Sequence, residues 1–95
     1  MDIFSTVEVS VAQAILGDTL KIKTVDGTVE YKLEPGTQPG TRVRFRGKGV
    51  PSVRERGVRG DHYVTFTVRI PKKLSGSQKK ALLAYDEEMG GTLSK

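Results

Sequence analysis

Ninety-five residues, 28% of them charged and 36% hydrophobic, leave room for one small domain and exclude a membrane-spanning helix. The absence of Cys excludes disulfides, thiolate nucleophiles and Cys-based zinc sites, and a single His, His62, excludes a His-paired metal site. The net charge of +5 is concentrated, because residues 42–60 carry Arg42, Arg44, Arg46, Lys48, Arg54, Arg56 and Arg59 against Glu55 alone.

Residues 1–5 read as a leader ahead of the domain, with no apolar run of the kind a signal peptide carries. Val7, Val9 and Val11 alternate with Glu8 and Ser10, the period of a half-buried strand. Ala12, Ile15 and Leu16 then switch to helical spacing and Gly17 stops it, which predicts one or two helical turns. Leu20 and Ile22 alternate with Lys21 and Lys23 up to Asp26-Gly27, a tight-hairpin signal. Val29, Tyr31 and Leu33 form the dry face of the return strand.

The stretch from Glu34 to Gly40 is a loop by composition. Val43 and Phe45 then face inward while Arg42, Arg44 and Arg46 face out at about 6.8 Å intervals. Residues 47–60, with glycines at 47, 49, 57 and 60, have no period and read as a long loop. The last strand alternates Val64, Phe66, Val68 and Ile70 with Thr65, Thr67 and Arg69, and Pro71 ends it. Ser75 and Gln78 match a capping box, so a helix runs from Ser75 to Met89 with Gly90-Gly91 behind it. Its apolar stripe holds Leu74, Ala81, Leu82, Tyr85 and Met89; Leu83 falls off the stripe, which suggests contact with two surfaces.

These elements predict a mainly β fold: a small antiparallel β-sandwich with one short internal helix and a C-terminal helix. The divisions are a β-sandwich domain at 6–73, a helix at 74–90 and a tail at 91–95.

Catalysis is disfavoured. His62 beside Asp61 and Tyr63 reads as an exposed strand residue, and no nucleophile follows it at workable spacing. Gly47-Lys48-Gly49 lacks the Ser or Thr and the helix start of a phosphate loop, because Val50-Pro51 follows. The arginine run competes as a basic nucleic-acid-binding β module spanning Arg42 to Arg59. Between residues 41 and 60, however, the one aromatic is Phe45, which points inward, so stacking partners are missing and nucleic acid is disfavoured. An open strand edge beside a shallow apolar face instead suits extended polypeptides, because backbone pairing is indifferent to sequence.

Six features in order carry a resemblance. They are Val7 through Gly17, Thr24-Val25-Asp26-Gly27, Pro35-Gly36-Thr37-Gln38, Arg46-Gly47-Lys48-Gly49-Val50-Pro51, Arg59-Gly60-Asp61, and Pro71-Lys72-Lys73-Leu74 followed by Gln78-Lys79 and Leu82-Leu83. Over residues 6–89 this set resembles the C-terminal substrate-binding region of the DnaJ/Hsp40 co-chaperones, in particular the second of its two β-domains. The resemblance implies a non-enzymatic module that holds unfolded client polypeptides for delivery to Hsp70. It also implies a homodimer joined through the C-terminal helix, with Leu74, Leu82, Leu83 and Tyr85 as contacts; the missing Cys and missing signal peptide agree with a cytoplasmic site. Client contact is expected near Leu20, Ile22, Val43 and Phe45. The His-Pro-Asp tripeptide and the Cys-rich zinc repeats of the family are absent from this sequence, so no cofactor is expected here. The chain reads as a piece of a longer protein.

Overall fold

The computed structural model describes residues 2–49 and 59–94. Five strands and two helices follow in chain order: β1 (Ile3–Ser10), α1 (Val11–Leu16), β2 (Asp18–Thr24), β3 (Gly27–Leu33), β4 (Arg42–Phe45), β5 (His62–Arg69) and α2 (Gly76–Glu88). They build two small sheets, one of order β1-β5-β4 and one of β2-β3. The fold class is therefore the mainly β one that the alternation predicts, with both helices in place.

One pairing departs from the antiparallel expectation. β4 runs antiparallel to β5, but β1 runs parallel to it, from Ile3 opposite His62 to Ser10 opposite Arg69. Parallel neighbours need a long crossover. Here it is everything from α1 to the 47–60 loop, a non-local choice that periodicity does not reveal.

β1 also takes in Ile3–Ser5, which the sequence reading assigned to a leader. Ile3 donates its N–H to the Asp61 carbonyl at 2.9 Å, so pairing begins at the first residue of the strand. The apolar alternation is broken there by Ser5, an inward polar residue, and the strand signal fades before the strand does.

Each turn has a local cause. Ser10 and Gln13 form a capping box on α1: Gln13 N–H donates to Ser10 Oγ at 3.0 Å and Ser10 N–H to Gln13 Oε1 at 2.8 Å. Gly17 ends α1 at φ 80°, where a Cβ would lie 2.7 Å from the Leu33 carbonyl oxygen. In the hairpin, Thr24 pairs with Gly27, so Val25 and Asp26 form the turn and the positive φ falls on Gly27. β5 ends at Arg69, one residue earlier than the alternation suggests, and Ile70 is left 70% exposed.

The core lies between the two sheets. Val9, Val64 and Phe66 from the three-stranded sheet meet Ile22 and Leu33 from the hairpin and Ala14 from α1. Tyr31 bridges the layers, stacking on Phe66 with ring centroids 5.5 Å apart and meeting Phe45 edge-on at 5.8 Å.

α2 stands apart from this body. None of its residues is buried. The radius of gyration is 18.1 Å, against about 12 Å for a compact chain of this length. No described helix is long and apolar enough to cross a membrane.

Candidate functional site

Three surfaces carry the residues of interest: the inner layer between the sheets, the end where α1 meets α2, and the outer face of the three-stranded sheet.

The expected client set converges on the first. Ile22 is 3% exposed and belongs to the core. Leu20, Val43 and Phe45 are half-buried against it, with Leu20 opposite Tyr31 in the hairpin. Each sheet's dry face is the other's cover, so Ile22 is closed off while Leu20, Val43 and Phe45 keep part of their surface.

The expected subunit contacts lie at the second surface and remain open. Leu74, Leu82, Leu83 and Tyr85 are each between 43% and 52% exposed. Leu74, Leu82 and Tyr85 face Ile15, Leu16 and Ile70 across a groove of about 690 Å³. Leu83 lines a smaller hollow of about 340 Å³ with Lys79, Asp86 and Leu93. Leu82 and Tyr85 of the stripe line both hollows, whereas the off-stripe Leu83 lines the smaller one. Ser75 and Gln78 cap α2 in the predicted box, at 3.1 and 2.8 Å. Asp86 holds the tail by accepting from the hydroxyl of Thr92 and from the amides of Thr92 and Leu93. The Thr92 hydroxyl bond, followed by the backbone bonds, holds the Asp86 carboxyl below its usual range.

The arginine segment is more internally tied than the sequence suggests. Asp61 is its hub. One carboxylate oxygen accepts Gly47 N–H at 2.9 Å, and the other accepts Arg44 Nε at 2.6 Å. The Gly47 amide and the Arg44 guanidinium lower the Asp61 pKa, and Asp61 raises that of Arg44. Arg59 pairs with Asp26 in the β2-β3 turn at 2.6 Å and donates to the Gly49 carbonyl at 3.0 Å, tying the loop base to the hairpin. Arg54 and Arg56 lie outside the described residues, as does most of the 47–60 loop.

The aromatic partners that residues 41–60 lack come from neighbouring strands. Tyr63 of β5 sits opposite Arg44 of β4 on one side and Phe4 of β1 on the other. The Phe4 and Tyr63 rings stack with centroids 5.1 Å apart and 9° between planes. Arg42 lies over both rings, at 5.2 and 5.3 Å, and Arg44 over Tyr63 at 5.9 Å. No sequence signal groups residues 4, 42 and 63, because only sheet order makes them neighbours.

His62 is buried at 4% exposure, contrary to the exposed reading. Its parity with Val64, Phe66 and Val68 is the signal that places it inward. Ser5 Oγ lies 2.7 Å from His62 Nε2, and Phe45 packs edge-on to the imidazole. Nδ1 has no partner among the described residues. No group of three or more described His, Asp or Glu residues is placed to hold a metal.

Comparison with known proteins follows this geometry. The DnaJ C terminal domain family matches residues 1–71. The chaperone protein DnaJ of Lachnospira eligens is 54% identical over 90 residues, 95% of this chain and 24% of that protein. Its namesake in Clostridium tetani is 54% identical over 89 residues, 94% of this chain and 24% of the relative. That of Lactobacillus gasseri is 45% identical over 92 residues, 97% of this chain and again 24% of the relative. The chain thus spans about a quarter of the length of these curated relatives. With three quarters of its residues inside the matched region, it belongs to the DnaJ C-terminal domain family.

Proposed function

We propose that this chain is the polypeptide-holding and subunit-joining part of a DnaJ-type co-chaperone, binding non-native clients for delivery to Hsp70 in the cytoplasm. No catalysis and no cofactor enter this reading. The observation that carries it is α2, thirteen residues with none buried, whose apolar stripe looks onto an apolar groove. A second copy of α2 is the natural occupant. Fully burying a Leu side chain is worth about 1.5–3 kcal/mol, so covering the exposed half of Leu74, Leu82 and Leu83 supplies a few kcal/mol to a dimer. Two client-holding arms then raise avidity through effective concentration rather than through stronger contacts.

Client contact uses shallow apolar surface and backbone pairing. Of the expected set, Leu20, Val43 and Phe45 retain some surface, and Ile22 retains almost none. The test is aggregation of a heat-denatured client with and without the purified chain, run beside an oligonucleotide titration. Slower aggregation with no oligonucleotide binding is expected. Unchanged aggregation, or oligonucleotide binding that falls steeply with salt, overturns the reading.

A further inference from the structure

We propose that two copies of this chain lay their α2 helices side by side and antiparallel, crossing at Leu83, with Lys79 and Lys80 of each copy facing Asp86 and Glu87 of the other. The inference rests on the subunit-joining reading and gives it an orientation, a register and a salt dependence.

The charge order of α2 comes first. Lys79 and Lys80 lie toward its start, and Asp86, Glu87 and Glu88 lie at its end. The first turn holds no acid and the last turn no base. Each charge therefore sits toward the wrong end of its own helix dipole, which is positive at the start. Lys79 and Asp86, like Lys80 and Glu87, are about two turns apart, beyond the reach of pairing within the helix. None of the four forms an ion pair among the described residues. A second α2 running the other way satisfies this order, because its acids lie beside these lysines and its dipole is reversed.

The register follows from helical geometry. At about 100° per residue, Lys79 and Lys80 flank Leu83 one turn before it, and Asp86 and Glu87 flank it one turn after. A two-fold axis at Leu83 exchanges the two ends and keeps each flank. It brings Lys79 to the partner's Asp86 and Lys80 to the partner's Glu87. Parallel helices instead put like charges side by side at both ends.

Apolar surface lies on the same side. Lys79, Leu82, Leu83, Tyr85, Asp86 and Leu93 line one hollow of about 340 Å³. Leu82, Leu83 and Leu93 are 52%, 45% and 61% exposed there. The chain turns back at Gly90 and Gly91, both at positive φ, and Asp86 catches the amides of Thr92 and Leu93. One carboxylate thus sets Leu93 beside the leucines and stays charged at the seam. The hollow carries one base, Lys79, and one acid, Asp86, so it complements its own copy turned end for end. A partner of a single charge sign leaves one of the two unpaired.

The experiment is sedimentation equilibrium of the full chain at about 0.05 M salt, comparing wild type with Lys80→Glu, Glu87→Lys and the double variant. Lys80 and Glu87 are exposed in the single chain. Each single variant raises the dissociation constant about tenfold, because two ion pairs become two like-charge contacts. The double variant restores the wild-type value. Lys80→Glu moves an acid toward the helix start, so circular dichroism shows helix content unchanged or higher, and the lost association is an effect of the interface. At about 0.5 M salt the gap between wild type and the single variants closes. Single variants as tight as wild type, a double variant that stays weak, or a gap indifferent to salt each overturns the arrangement, while a wild-type dimer keeps the subunit-joining reading. A wild-type monomer removes both.

Discussion

The carboxylate of Asp61 accepts the amide of Gly47 at 2.9 Å, closing a loop of fourteen residues onto the start of β5. The same side chain holds Arg44, so one acid ties the end of β4, the loop base and β5 together.

That arrangement predicts a pH dependence. The Gly47 amide and Arg44 lower the Asp61 pKa from its ordinary 3.8. A lowered folded pKa means stabilisation that is fully present above the ordinary value and is lost as pH falls through the lowered one. Asp61→Asn is expected to be less stable than wild type at neutral pH and to decline less steeply below about pH 4. Urea unfolding at a series of pH values measures this. Asp86 is shifted the same way by Thr92, so part of the acid limb persists in the variant.

The Ser5–His62 hydrogen bond makes a second prediction. Imidazole Nδ1 already lacks a described partner, so Ser5→Ala leaves the buried ring without one at either nitrogen. The expected cost is about 1–3 kcal/mol. In a His62→Phe background the same Ser5 change should cost much less, because the polar group it serves is gone. Equal costs in both backgrounds would assign the effect to strand packing instead.

Gly17→Ala tests a steric claim. The new methyl group would meet the Leu33 carbonyl oxygen at 2.7 Å and Pro35 at 3.1 Å, in a backbone conformation open mainly to glycine. The neighbour at closest approach is backbone and cannot swing aside. A loss of about 2 kcal/mol or more is expected from the denaturation midpoint. Gly27→Ala, where a Cβ meets nothing within 4 Å, should cost less.

The subunit contact is tested by Leu82→Asp and Leu83→Asp together. Both side chains are about half exposed, so the isolated fold tolerates the change. The sedimentation mass should fall from dimer to monomer with the circular dichroism spectrum unchanged. An unchanged mass, or a wild-type monomer, removes the contact.

Local chemistry was legible wherever a residue answers to its near neighbours. The capping pair Ser75–Gln78, the stop at Gly17 and the alternation in β2, β3, β4 and β5 all follow from contacts within a few residues, and each element formed close to where those signals lie. Even the buried state of His62 is legible in its parity with Val64, although a polar side chain at a strand start is usually wet. The parallel β1–β5 pairing, the Asp61 hub, the Arg59–Asp26 tie and the Phe4–Tyr63–Arg42 cluster were not available. They join residues tens of positions apart, and periodicity says which face a side chain takes without saying which strand will lie beside it. The amino-acid order by itself determined the elements, their wet and dry faces and the family. The tertiary structure decided which dry face meets which and which edge stays open. Burying apolar surface is non-directional, so many pairings satisfy the same pattern until the whole chain has closed on one of them.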